Sequence, residues 1–185
     1  MRLLHQIGIV VFLLTSSNLA GQALFADHEN FTRQDTLRGS ITPERAWWDL
    51  NYYHLEIAVN PKTRFIKGKN TIHYTILTSY QTLQIDLQSP MKLTKAIQDG
   101  EELDVLLEGN AHFIKLKKAQ NRIGSIGVIE IFYEGQPREA INAPWDGGIS
   151  WKKDSNGIDF IASSCQGLGA SVWWPNKDHM YDEVD

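Results

Sequence analysis

The sequence predicts an all-β fold: an antiparallel β-sandwich or saddle-like sheet domain with irregular Trp- and Gly-rich loops, preceded by a signal peptide. Three observations lead to this prediction. The 185 residues include six Trp, six Tyr and seven Phe, with many Ile and Val, and these residue types suit pleated, half-buried surfaces. Apolar and polar residues alternate in short runs that turn residues separate at near-regular spacing. No run has the length and the 3.6-residue period of a long helix.

The alternating runs place the strands. After Gly68, for example, Asn70 and the apolar Ile72, Tyr74 and Ile76 occupy every second position, as in a strand with one buried face. Asp99–Gly100 predicts a tight hairpin, because both positions adopt positive φ at low cost. A second such turn, Asn156–Gly157, leads into residues 158–162, which are predicted to form a buried strand. The other predicted strands are at residues 53–59, 70–76, 83–87, 93–97, 103–107, 113–116 and 128–133.

Residues 1–23 have the pattern of a signal peptide. Arg2 supplies a positive charge, an apolar run extends from Ile7 to Leu14, and cleavage is expected after Ala20 or Ala23. The apolar run is far shorter than the roughly 20 residues of a membrane-spanning helix. We therefore expect an exported protein, periplasmic or extracellular, with no stable membrane span.

The rest of the chain is predicted to have two parts. Residues 24–46 are polar and show no sustained period of 2 or 3.6, so they are expected to be an extended lead-in, with room for one short helical turn, that acts as a linker. Residues 47–185 are expected to form the β domain. This domain stops without a closing element, which predicts that it is truncated at its C-terminal end.

Charge and cysteine content narrow the classes of function. The formal net charge is -4, and the charged residues are interspersed, so no positive stripe is available for nucleic acid. Cys165 is the only cysteine, and one thiol cannot form an internal disulfide. The stability of the fold is therefore expected to come from its core.

The sequence contains no metal-binding motif of its own. A zinc peptidase places two His one helical turn apart with Glu beside the first. The nearest approach is His28–Thr32, which has Thr in place of the second His. His54 and His73 fall on the outward faces of predicted strands and are interpreted as solvated or cross-strand residues. We predict neither a metal ligand nor a catalytic residue in this chain.

Two other motifs are weak. Gly169–Trp173 has the outline of a serine-hydrolase nucleophile elbow, but Trp stands where the turn requires Gly. Cys165 has no His or Asn close to it in sequence, and its thiol is interpreted as a small packing group.

Five segments in a fixed order carry a family resemblance. They are Tyr53–Ile57, Ile66–Ile72, Tyr133–Gly135, Ser164–Gln166 and Trp174–Asp178. Together they resemble the N-terminal domain of the aminopeptidase N family of zinc metallopeptidases, the gluzincin aminopeptidases that include leukotriene hydrolase. The resemblance extends from about Tyr52 to Asp185 and implies a saddle-like β-sandwich.

The resemblance also implies a role for one residue. In the family, the loop that corresponds to Cys165–Gln166 projects Gln or Glu into the active-site cleft, so Gln166 is the candidate substrate-binding residue. Its alternative is a structural amide that satisfies loop backbone groups. Trp174–Asp178 keeps the first Pro and the Asp of the family's motif but lacks its Cys and second Pro, so Asp178 is interpreted as a turn residue.

The resemblance implies that the zinc ligands, the catalytic Glu and the catalytic Tyr lie beyond Asp185. The implied partners are a peptide substrate with a free N-terminus and a downstream catalytic domain of the same polypeptide. The chain alone is then expected to bind no zinc and to be inactive.

Two alternatives remain open. The abundance of Trp and Tyr also fits a secreted, non-catalytic β-sandwich binding module, because aromatic faces stack on apolar ligand surfaces. The second alternative is an aminopeptidase-like scaffold without activity.

Overall fold

The computed structural model describes residues 31–181 of the chain. The predicted signal peptide, the first part of the predicted lead-in and His28 lie outside the described residues. No helix within residues 31–181 has the length and apolar character needed to cross a membrane.

Within residues 31–181 the chain forms two short helices, ten strands and one 3-10 helix. The helices are α1 (Arg33–Gly39) and α2 (Pro43–Ala46), and the 3-10 helix is Ala170–Val172. The strands are β1 (Trp48–Asn60), β2 (Phe65–Ile76), β3 (Tyr80–Asp86), β4 (Lys92–Gln98), β5 (Glu101–Glu102), β6 (Asp104–Glu108), β7 (Ala111–Gln120), β8 (Ile126–Gly135), β9 (Gly148–Lys153) and β10 (Asp159–Ser164).

The strands make three antiparallel sheets. A five-stranded sheet has the order β1-β2-β8-β4-β5, a three-stranded sheet has the order β3-β7-β6, and β9 pairs with β10 in a separate ribbon. Buried residues of the first two sheets share one core, to which β2 contributes Ile72, β3 contributes Ile85 and β7 contributes Ile114. The predicted all-β, antiparallel sandwich is therefore confirmed.

The alternation in β2 and β8 explains how the five-stranded sheet is built. Every second residue of β2 from Asn70 to Ile76 is buried, as its sequence predicts. Two glycines on the buried face lie directly opposite tyrosines: Gly68 pairs with Tyr133, and Gly127 pairs with Tyr74. Each tyrosine ring occupies the space that a side chain on its partner glycine would need. The two strands thus fit each other through two large-to-small pairs.

The hairpin predicted at Asp99–Gly100 is confirmed, because both residues have positive φ, 52° and 79°. The strand predicted at residues 103–107 is found at Asp104–Glu108, but it does not pair across this hairpin as expected. Glu101–Glu102 completes the hairpin in the five-stranded sheet, whereas Asp104–Glu108 pairs with β7 in the other sheet. Leu103 lies between them, buried in the shared core. The chain passes from one sheet to the other at Leu103.

The second hairpin forms across Asp154–Gly157 and the strand predicted at residues 158–162 is found as β10, but the prediction that this strand is buried is wrong. Phe160 is 57% exposed, and Ile158 and Ile161 are also exposed. Among residues 31–181 no third strand joins the ribbon, and its one further bridge, between Ile149 and Glu139, does not cover these apolar side chains.

The second half of the segment predicted to be an extended lead-in is mostly helical. Residues 33–46 contain α1 and α2, in which Leu37 and Arg45 are buried. Helices this short are marginal by themselves. Tertiary contacts hold them: Gln84 Nε2 donates to Leu37 O at 3.0 Å, and Thr42 Oγ1 donates to Gln84 Oε1 at 2.7 Å.

The buried His112 on β7 is expected to make the fold less stable in acid. The side chain is buried, and that burial lowers the pKa of its imidazole. A histidine whose pKa is lowered by folding contributes its full stability above its unfolded pKa of about 6.5 and loses it as the pH falls further. We expect the free energy of unfolding, measured in urea, to decrease below that pH. His112→Gln should flatten this decrease, whereas His54→Gln, at an exposed position on β1, should leave it unchanged. The same acid slope in both variants would contradict the assignment.

Candidate functional site

Two loops leave the same end of the β9–β10 ribbon. The last pair of the ribbon is Gly148 with Ser164. The chain enters β9 from residues 141–147 and leaves β10 into residues 165–169. Because paired strands lie about 5 Å apart, the two loops are neighbours.

The loop at residues 165–169 contains the predicted substrate-binding residue. Leu168 N and Gly169 N both donate to Cys165 O, at 3.2 and 2.9 Å. Gln88 Nε2 donates to Leu168 O at 2.5 Å, and Arg38 donates to Gly167 O. These bonds fix the loop through its backbone, while the Gln166 side chain is exposed.

The loop at residues 141–147 is held by Asp146. Its carboxylate accepts hydrogen bonds from Ile141 N at 2.7 Å and from Asn142 N at 2.9 Å. These bonds, led by that of Ile141, and the nearby Arg138 guanidinium lower the pKa of the Asp146 carboxyl. Arg138 Nε also donates to Gly147 O at 3.0 Å. The carboxylate therefore stays ionised and closes the loop.

The two loops contact each other directly. Ser164 Oγ donates to Asp146 O at 2.5 Å. A Cβ on Gly147 would lie 2.7 Å from Leu168 Cδ1, so Leu168 packs against the backbone of the first loop. We call this pair of loops, residues 141–147 and 165–169, the loop pair.

The segment Trp174–Asp178 is bonded across the domain beside the loop pair. Asp86 N donates to Asn176 O at 2.8 Å and Asn176 N donates to Asp86 O at 3.1 Å, which adds the segment to the edge of β3. Buried Asn70 Nδ2 donates to Pro175 O at 2.9 Å. Lys177 Nζ donates to Trp48 O at 2.6 Å and lies 4.2 Å from the centre of the Trp48 ring. Residues 174–178, which carry part of the resemblance, thus connect β1, β2 and β3 through these bonds, and we call them the tie segment.

Asp178 forms one bond to a residue close in sequence and one to a distant strand. Its Oδ2 accepts from Ser171 Oγ at 2.5 Å, and its N–H donates to Asp86 Oδ2 at 3.2 Å. Ser171 is itself 2% exposed. The serine whose surroundings resembled a nucleophile elbow is therefore a buried partner of Asp178 and faces no solvent.

Asp86 is the centre of a buried ionic network. Arg45 Nη2 lies 2.5 Å from its Oδ2, and Gln84 Nε2 donates to its Oδ1 at 2.9 Å. Burial raises the pKa of the Asp86 carboxyl, against the opposing effect of the Arg45 guanidinium. The network joins the N-terminal helices, β3 and the tie segment.

Cys165 does not have the surroundings of an active thiol. Burial, and then the charge of Asp178, raise the pKa of its thiol. A raised pKa disfavours the thiolate, which is the nucleophilic form. This environment is what the packing interpretation of Cys165 requires.

The histidines predicted to lack a metal role stand apart. His54 is exposed on β1, and His73 makes an edge contact with Tyr52 at 5.6 Å between ring centres. Across residues 31–181, no three His, Cys, Asp or Glu side chains come together in a way that could hold a metal ion.

Five of the six tryptophans pack in or on the two hydrophobic clusters, and one is exposed. Trp47 and Trp48 are buried in the shared core, and three more pack on a second, smaller cluster that contains Ile66 and Met91. Trp145, at the tip of the first loop of the pair, is 74% exposed.

Sequence reasoning missed the brace around Asp146. The turn residues around it, Pro-Trp before and two glycines after, indicate a tight loop. They do not indicate that the carboxylate bonds N–H groups four and five residues earlier, or which loop it packs against.

The chain has the fold of the N-terminal domain of the M1 zinc metallopeptidases. A mutant M1 zinc metallopeptidase from Deinococcus radiodurans, bound to a Tyr-Ser-Ala substrate, matches with a TM-score of 0.59 and 18% identity over 80% of this chain. Yeast LTA4 hydrolase in complex with bestatin matches with a TM-score of 0.62 and 13% identity over 90% of this chain.

The matches cover 34% of the Deinococcus chain and 25% of the yeast chain. This chain therefore spans about a third of the one and a quarter of the other. No protein-family model matches the sequence, and no curated protein matches it. At these identities the likeness to solved structures establishes the fold.

Proposed function

We propose that this chain is the N-terminal, cleft-forming domain of an exported zinc-dependent aminopeptidase, which removes amino-terminal residues from peptides. The observation that carries the proposal is the exposed amide of Gln166 on a loop that is fixed by its backbone, within the fold of the M1 metallopeptidases. Export is supported by the signal-peptide pattern of residues 1–23, and N-terminal sequencing of the secreted protein tests it.

Gln166 has the chemistry that a free amino terminus requires. Its side-chain oxygen accepts a hydrogen bond from an ammonium group, and the amide adds no charge that must be neutralised in the absence of substrate. The loop is already ordered by bonds from Gln88 and Arg38, so binding needs no further ordering of its backbone.

The metal of such an enzyme has no place among the described residues. The family implies zinc, which supplies an activated water for peptide hydrolysis. Residues 31–181 do not provide three suitable ligands at any point, and they do not fit the metal. The proposal therefore assigns zinc and its chemistry to a downstream catalytic domain, and only substrate contact to this chain.

Gln166→Ala tests the proposal in the longer polypeptide. We expect KM to rise at least about tenfold for aminoacyl substrates with a free amino group, and to change little for the same substrates with that group blocked, because only the free ammonium bonds to the amide. Gln136→Ala is the matched control: this exposed glutamine donates to Thr63 O at 2.9 Å, in the turn after β1. Equal effects of Gln166→Ala on free and blocked substrates would remove Gln166 from recognition.

The two alternatives are separated by the reading frame after Asp185. A His-Glu-x-x-His pattern followed by a Glu about 20 residues later would support the enzyme, since these residues bind zinc and activate its water. A long frame without that pattern would support the inactive scaffold. An immediate stop codon would support the free-standing binding module.

A further inference from the structure

Trp145 combines high exposure with a closed backbone. Its side chain is 74% exposed, and its own N–H donates to Asn142 O at 2.9 Å. The next residue, Asp146, closes the loop through two backbone N–H groups, and Arg138 holds it from outside. An exposed aromatic ring on a loop held in this way is positioned for contact with a partner, since little conformational freedom is left to lose on binding.

The loop that carries Trp145 is joined to the loop that carries Gln166. The joining contacts are the Ser164 Oγ bond to Asp146 O at 2.5 Å and the packing of Leu168 on Gly147. One loop of the pair thus presents an apolar ring and the other presents an uncharged amide, both to solvent at the same end of the ribbon.

This combination matches one end of a peptide. At a free N-terminus, the ammonium group and the first side chain branch from the same carbon atom. Any two groups that bind them must therefore be neighbours. An amide oxygen suits the ammonium, and an indole face suits an apolar side chain.

We propose that Trp145 determines specificity for the first residue of the substrate, by packing its indole against a large apolar side chain while Gln166 binds the ammonium. This inference rests on the proposed function and extends it, because it names the substrate class: peptides that begin with a bulky apolar residue. The Asp146 carboxylate holds the backbone of the loop that carries the ring.

The test uses the longer polypeptide and two anilide substrates, leucyl and alanyl. Trp145→Ala is expected to lower kcat/KM for the leucyl substrate about tenfold more than for the alanyl substrate, with most of the change in KM. Trp145→Phe should keep most of the preference, since it keeps an aromatic face. Trp145→Gln should lose it, and this variant serves if Trp145→Ala does not fold.

Ile158→Ala is the matched control. Ile158 is 64% exposed and lies near the opposite end of the ribbon from the loop pair. It should leave the leucyl-to-alanyl ratio unchanged. Equal losses on both substrates in the Trp145 variants, or the same change in ratio in Ile158→Ala, would overturn the inference while the aminopeptidase proposal stands. A wild-type protein that hydrolyses neither substrate would overturn both.

Discussion

Arg45→Met is expected to lower the free energy of unfolding by about 3–5 kcal/mol, because it leaves the Asp86 carboxylate buried without its counter-ion. Arg45 is 1% exposed. The same guanidinium also donates through Nη1 to Leu37 O at 2.7 Å and to Ser40 O at 2.9 Å, so the variant loses the bonds that close the end of α1. Urea denaturation followed by tryptophan fluorescence measures the change.

Arg33→Met is the matched control for that prediction. Arg33 also forms an ion pair, with Glu108 at 3.0 Å, but its side chain is 61% exposed. Exposed pairs contribute little to stability because water and salt screen them, so this variant should stay close to wild type. Removing both charges, in Arg45→Met with Asp86→Leu, should recover part of the lost stability, since no buried charge remains unpaired. Equal losses in the two single arginine variants would show that burial does not set the strength of the Arg45 pair.

Gly68→Ala is expected to lower the free energy of unfolding by about 3 kcal/mol, as an overpacked core position does. The new Cβ would lie 2.7 Å from the Tyr133 ring and 2.8 Å from the backbone oxygen of Glu56. The ring has no room to move because it is fully buried, and the oxygen belongs to the neighbouring strand. Urea denaturation gives the magnitude.

Gly39→Ala is the comparison for Gly68→Ala. Gly39 ends α1, and no atom lies within 4 Å of the position of its Cβ. We expect this variant to be within about 0.5 kcal/mol of wild type, as surface substitutions usually are. If Gly68→Ala were equally mild, the close approach of Tyr133 would not be a constraint on the sheet.

The strands were predictable because their signal is local. Alternation in β2 and the Asp99–Gly100 turn each depend on neighbouring residues, and both are found as predicted. Which sheet a strand joins depends on distant contacts, and this is why residues 103–107 were expected opposite β4 although they pair with β7. The helices of residues 33–46 were missed for the same reason: the bond between Arg45 and Asp86 joins residues 41 positions apart.

The candidate site was predictable only in part. Gln166 was identified through the family resemblance, and its substrate role stays a prediction. The nearness of the loop of Trp145 to the loop of Gln166 follows from the pairing of β9 with β10, which brings Gly148 opposite Ser164. The sequence shows a Trp- and Gly-rich loop, but no pattern near it in sequence indicates which strands pair beside it.

The two tyrosine-glycine pairs of β2 and β8 also decide how these strands can align. A slip by one residue would turn every buried side chain to the solvent, so hydrophobic alternation alone forbids it. A slip by two residues would keep each side chain on its own face, and alternation offers no protection against it. Tyr74 and Tyr133 protect against a two-residue slip, because each ring would then lie opposite a residue larger than glycine. The two tyrosine-glycine pairs therefore favour a single register between β2 and β8.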